Sequence, residues 1–159
     1  GLRDGSLDAA LMVKMPAAAL RGLQFHNLVT YRVTVAAHPS HPLARKRSVP
    51  LAALTDERLI AYSEKDYPEY HASLRELFPQ PKRRPRIAEE HDSVTSLIAA
   101  VESGRGVAIV TESLRCMVGE RLVLRPLTPA RKPFCVGVVT QIAVGHPALE
   151  KFVEALGAV

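Results

Sequence analysis

His91-Asp92-Ser93 places the three residue types of a hydrolase triad side by side. A triad needs its base within hydrogen-bond reach of the nucleophile and an orienting carboxylate behind it, whereas neighbours on one short segment point apart. Helix capping suits these residues better: Asp92 or Ser93 can accept from the first free amides of a following helix. His38 and His41 stand at a spacing seen in zinc sites. Each precedes a proline, however, as does His146, and no cysteine or carboxylate cluster completes a four-ligand set. Glu89-Glu90 and Glu102 show no setting that would divide acid and base roles between them. No catalytic residue, metal ligand or cofactor is expected, and the chain reads as a non-enzyme.

Gly104-Arg105-Gly106 raises the question of a phosphate loop. Such a loop needs a strand, then glycines, then a helix whose first amides face the phosphate. Here the order is reversed. Val94, Leu97, Ile98 and Val101 fall on one helical face, Gly104 supplies the left-handed residue past the helix end, and Gly106 to Val110 follows as a short apolar strand. The glycines are expected to turn a helix back into a sheet.

The 159 residues, 47% apolar and 23% charged, suit one globular domain. No apolar run reaches the roughly 18 residues of a membrane span, and no secretion signal opens the chain, so a cytoplasmic protein without membrane contact is expected. Cys116 and Cys135 are too few for a disulfide framework and are expected as two buried thiols. The net charge of +5 includes Lys82-Arg83-Arg84-Pro85-Arg86. No aromatic residue interleaves with that run as a stacking platform, so it reads as a solvated loop rather than a nucleic-acid site.

The elements that must position these residues alternate. Leu7 to Met12 reads as a buried strand, Leu28 to Ala37 as a longer one ended by His38-Pro-Ser-His-Pro42, and Leu59 to Ser63 as a third. Tyr70 to Phe78 is a helix closed by Pro79. Strands at Ile87 to Glu89, Val107 to Val110, Arg121 to Leu127 and Phe134 to Thr140 follow, with helices between them. A last helix opens at His146-Pro147 with Leu149, Phe152, Val153 and Leu156 as its buried stripe. The pattern predicts an α/β fold with a mostly parallel sheet. The chain opens directly on an apolar strand, as though the first β-α-β-α of a larger fold were absent.

Four stretches in this order resemble one family: Leu2-Arg-Asp-Gly-Ser-Leu-Asp-Ala-Ala-Leu-Met12, Val35-Ala-Ala-His-Pro-Ser-His-Pro-Leu-Ala44, Val101-Glu-Ser-Gly-Arg-Gly-Val-Ala-Ile-Val110 and the His146-Pro147 helix. They resemble the effector-binding domain of LysR-type transcriptional regulators, whose fold is that of type 2 periplasmic binding proteins. The resemblance implies two Rossmann-like subdomains with a hinge, the first incomplete: residues 1–43 with 128–159 form the partial first subdomain and residues 44–127 the second. The crossing segments are expected near Ala37 to Leu43 and Thr128 to Pro133.

By the same resemblance a small-molecule effector, possibly a carboxylate or aromatic acid, binds between the subdomains, contacted from the loops after Met12 and Ser63. Ser63 and Tyr70 are expected to donate hydrogen bonds, and Tyr67 and Pro68 to pack on an apolar ring. In the loop Val13-Lys14-Met15-Pro16, Met15 stands where some relatives that sense aromatic acids carry an arginine, which leaves Lys14 as a point charge for a carboxylate. The family further implies homo-oligomers and DNA contact only through a winged helix-turn-helix domain outside this chain. An extracytoplasmic solute-binding receptor of the same fold is the alternative.

Overall fold

A computed structural model describes residues 1–15, 17–130, 133–142 and 147–157; Pro16 and His146 lie outside them. In chain order the strands are β1 (Ala9–Val13), β2 (Leu23–Tyr31), β3 (Val33–Ala37), β4 (Val49–Pro50), β5 (Arg58–Tyr62), β6 (Arg86–His91), β7 (Ala108–Thr111), β8 (Val123–Thr128) and β9 (Phe134–Gln141). The helices are α1 (Pro68–Leu77), α2 (Val94–Glu102), α3 (Arg115–Val118) and α4 (Pro147–Gly157). The chain divides into two compact units, Gly1–Tyr31 with Pro133–Val159, and Arg32–Lys132. The first boundary falls earlier than residue 43 because β3 pairs with β7 and β8 and so belongs to the second unit. The strand expected from Leu28 to Ala37 is therefore two strands. They part at Arg32, whose backbone N–H and carbonyl are both taken up by Glu112.

In the first unit β9 lies between β1 and β2, antiparallel to both, so the mostly parallel sheet expected of the whole chain does not describe this part. A strand from the far end of the chain runs down the middle of a sheet begun by the first residues, and Val138 and Val139 on it are fully buried. Helix α4 keeps Leu149, Val153 and Leu156 half-buried, but Phe152 of the expected stripe is 49% exposed. The cysteine expectation also fails: Cys116 is exposed and Cys135 half-buried, both as free thiols.

The second unit has the parallel sheet. Its order is β4-β8-β3-β7, continued through a parallel bridge between Leu59 and Val107 into β5 and β6. All of these strands except β3 run the same way. Alternating side chains reach two cores, as the twofold period of a strand requires. Leu59, Val107 and Ile109 join Leu74 and Phe78 on the α1 side. Ile60, Ala108 and Val110 join Leu97, Ile98 and Val101 of α2 on the other. Coverage on both faces explains why β5 and β7 read as continuous apolar runs.

Candidate functional site

Parallel strands deliver their following loops to one edge of a sheet, where open α/β folds gather ligand groups. At that edge of the second unit lie the turn after β5 (Ser63 to Tyr67), the turn after β6 (Asp92 and Ser93) and the turn after β7 (Glu112 and Ser113). The first two are tied together. Ser63 N–H donates to the His91 carbonyl at 2.8 Å, Tyr67 N–H to the Ser63 carbonyl at 2.9 Å, and the Tyr67 hydroxyl to the Asp92 carbonyl at 3.2 Å. The β5 loop is thereby pinned across the end of β6. The Ser63 hydroxyl makes no hydrogen bond among the described residues.

Helix α2 begins where Ser93, in an extended conformation, accepts from Ser96 N–H at 3.3 Å, so the cap is Ser93 rather than Asp92. Its hydroxyl also meets that of Ser96 at 3.0 Å. Thr111 and Ser113 hydroxyls meet at 2.6 Å beyond β7. The edge thus presents hydroxyls and the start of a helix.

An aromatic group backs it. The Tyr62 and Tyr67 rings lie 4.7 Å apart at 40°, and Tyr62 and Tyr70 meet edge to face at 5.1 Å. Burial raises the Tyr62 hydroxyl above the ordinary phenol value and the Tyr70 hydroxyl well above it, so both stay neutral. Pro68 is exposed at the first helical position of α1, where its fixed φ suits the helix and its missing N–H leaves no bond unmade.

Tyr70 differs from its neighbours. Its ring packs against the core on the α1 side, and its buried hydroxyl has no hydrogen-bond partner among the described residues. A buried donor left unpaired costs about 1–3 kcal/mol. Tyr70→Phe is therefore expected to leave stability unchanged or raise it by about 1 kcal/mol in urea denaturation. A loss of stability would mean that the hydroxyl has a partner in solution.

Lys14 and Met15 belong to the first unit, directly after β1. Lys14 is exposed, its backbone N–H bonded to the Cys135 carbonyl at 2.9 Å and its ammonium 5.6 Å from the Phe25 ring centroid. Met15 is half-buried. Sequence reasoning missed Tyr62, His91, Asp92, Ser93, Thr111 and Ser113 as members of the edge. The signal was their place immediately at the ends of apolar runs, legible only once those runs are known to be parallel neighbours.

The remaining chemistry-bearing residues have structural employment. His38 Nδ1 meets the Ser40 hydroxyl at 2.6 Å, and His41 Nδ1 accepts from Leu43 N–H at 3.2 Å, capping a short 3-10 turn. His91 Nε2 lies 3.5 Å from Glu89, which also pairs with Arg105 at 2.8 Å. Gly104 has φ +70° just beyond α2, and Gly106 leads into β7. The glycine segment is a helix-to-strand turn.

The model of the LysR substrate binding domain family matches residues 1–159. The chain is 25% identical over 154 residues to the HTH-type transcriptional regulator BudR of Raoultella terrigena, covering 94% of this chain and 49% of BudR. It is 27% identical over 115 residues to the HTH-type transcriptional regulator BenM of Acinetobacter baylyi, covering 70% of this chain and 37% of BenM. The chain thus spans half or less of the curated relatives it matches. Among solved structures, the Synechocystis CcmR regulatory domain in complex with 2-PG superposes with a TM-score of 0.82 at 19% identity, over 99% of this chain and 75% of that one. The BenM effector binding domain with its effector benzoate gives 0.79 at 20% identity, over 98% and 70%. With the family model matched from the first residue to the last, on an α/β fold shared with these regulatory domains, the chain belongs to the LysR substrate-binding domain family.

Proposed function

We propose that the chain is the effector-sensing part of a homo-oligomeric, DNA-binding transcriptional regulator, and that Ser63, Tyr67 and the start of α2 form the second unit's share of its effector site. The observation that carries this reading is the bonded edge itself: a loop pinned by the Tyr67 hydroxyl to the Asp92 carbonyl, with an unused Ser63 hydroxyl beside it. Preformed donors of this kind lower the entropy cost of taking up a ligand. Hydroxyls and neutral phenol rings suit a small planar or hydroxylated molecule. Lys14 and Met15 stay in the proposal through the family resemblance, with Lys14 as the point charge for an effector carboxylate.

The reading is one of sensing, not conversion, and places the DNA contact in a winged helix-turn-helix domain beyond this chain. Relatives that are HTH-type regulators favour it over a solute receptor of the same fold. Among the described residues no helix is long and apolar enough to cross a membrane. A thermal-shift series with benzoate and other small aromatic or hydroxylated acids tests the proposal. A ligand that binds only the native state adds about 2.7 kcal/mol at a concentration of 100 Kd. No shift across the series would remove the reading.

A further inference from the structure

A pocket lies in the same unit between α1 and β6, and of the Ser63 to Tyr67 turn it includes only Glu64. Its floor is apolar, made by Leu74 of α1 and Phe78 just past its end, with Pro85 and Ile87 from the run into β6. Ile87 is 38% exposed, although its neighbours on the floor are buried. Arg75 and Arg84 supply nitrogen donors around it, each with only part of its capacity in use, and His71 lines it with a ring whose Nε2 is also 3.6 Å from Glu90 Oε1. Arg75 Nη1 meets Glu64 Oε1 at 2.8 Å, Arg84 Nε donates to the Phe78 carbonyl at 2.9 Å, and His71 Nε2 donates to the Tyr62 carbonyl at 2.6 Å. The other guanidinium nitrogens of both arginines have no partner among the described residues.

The net charge of the lining is positive. Glu64 is the sole carboxylate lining the pocket among the described residues, and its hydrogen bond from Arg75 holds its carboxyl below the ordinary range. Lys82, Arg83 and Arg86, all exposed on the same stretch of chain, add to the positive field. Two planar forks beside an apolar floor match a carboxylate on a short hydrocarbon stem. An inorganic anion would leave the floor wet, and a cation would meet the arginines.

We propose that this pocket binds a small monocarboxylate, its carboxylate on Arg75 and Arg84 and its stem on Leu74, Phe78 and Ile87. The site is additional to the proposed effector edge and does not depend on it. His71 joins the two physically: its ring lines the pocket while its Nε2 holds the carbonyl of Tyr62, the residue before Ser63.

The probe is hexanoate, with hexanol and hexylamine as charge controls, read by methyl NMR of Leu74 and Ile87 in the full chain. Hexanoate should shift both methyl groups saturably with a Kd on the order of 1 mM, the scale for so small a ligand. Hexanol should bind more weakly and hexylamine not at all. Arg75→Gln and Arg84→Gln should each raise the hexanoate Kd about fivefold, the upper range for exposed ion pairs. Arg75 is exposed and its side chain bonds only Glu64 among the described residues, so its replacement leaves the fold intact should Arg84→Gln disturb the turn after α1. Equal shifts with hexylamine, undiminished binding by the Arg75→Gln chain, absent saturation, or hexanoate shifts confined to the Ser63 to Tyr67 turn would each overturn the proposal.

Discussion

Gly106→Ala is expected to destabilise the second unit by about 3 kcal/mol or more, the upper range for forced overpacking. The backbone of Gly106 runs so close to β5 that an added Cβ would press on the Arg58 carbonyl oxygen and on Ile60 Cδ1. That oxygen accepts from Val107 N–H at 3.0 Å, and Ile60 N–H donates to the Val107 carbonyl at 2.8 Å. These two bonds join β5 and β6 to the rest of the sheet. A methyl group at Gly106 therefore pries at the seam carrying the proposed effector edge. Gly104→Ala is the control. Its φ is +70° but open space surrounds it, so only the left-handed conformation is penalised, at about 1 kcal/mol. Urea unfolding of both variants decides the matter: equal midpoints would show that β5 and β7 are not packed this closely.

Tyr67→Ala is expected to abolish the ligand-induced thermal shift, or to weaken ligand binding at least about tenfold, while unfolding remains cooperative. Loss of a buried aromatic anchor commonly has that size in a binding site. The residue is half-buried and its hydroxyl bonds the Asp92 carbonyl, so the variant loses both a packing surface and the tie between the two turns. Tyr67→Phe keeps the ring and removes the tie alone. A Phe response midway between parent and Ala would divide the effect between ring and tie. A full response from Tyr67→Ala would take the residue out of the site.

Much of the fold was legible because periodicity reports burial directly. Val94, Leu97, Ile98 and Val101 share a helical face and line one core, and Val107 to Val110 is uniformly apolar because both sides of its strand are covered. The break at Arg32 was not legible. Leu28 to Ala37 is rich in β-branched residues on both sides of Arg32, and what divides it is the Glu112 carboxylate and backbone, a partner far along the chain. The antiparallel first sheet was hidden for the same reason, since β9 arrives from the other end of the sequence.

Of the candidate edge, the loop after β5 was legible and the surroundings of its residues were not. Ser63, Tyr67, Pro68 and Tyr70 were drawn from one loop, and the structure sorts them by environment. Tyr67 reaches across to the turn after β6, Ser63 keeps a hydroxyl with no hydrogen bond among the described residues, Pro68 starts a helix, and Tyr70 turns its hydroxyl into the interior. Sequence order alone cannot distinguish neighbours that point to opposite sides. Phe152 shows the complementary limit: a residue on a predicted apolar stripe is left half open.

The central claim is that the turns after β5 and β6 together take up a small effector. A backbone-amide NMR titration of the full chain with the acid giving the largest thermal shift tests it most directly. The account predicts that the strongest saturable perturbations fall on Ser63 to Tyr67 and on Asp92 to Ser96. Saturable perturbations that leave both turns unmoved would contradict it.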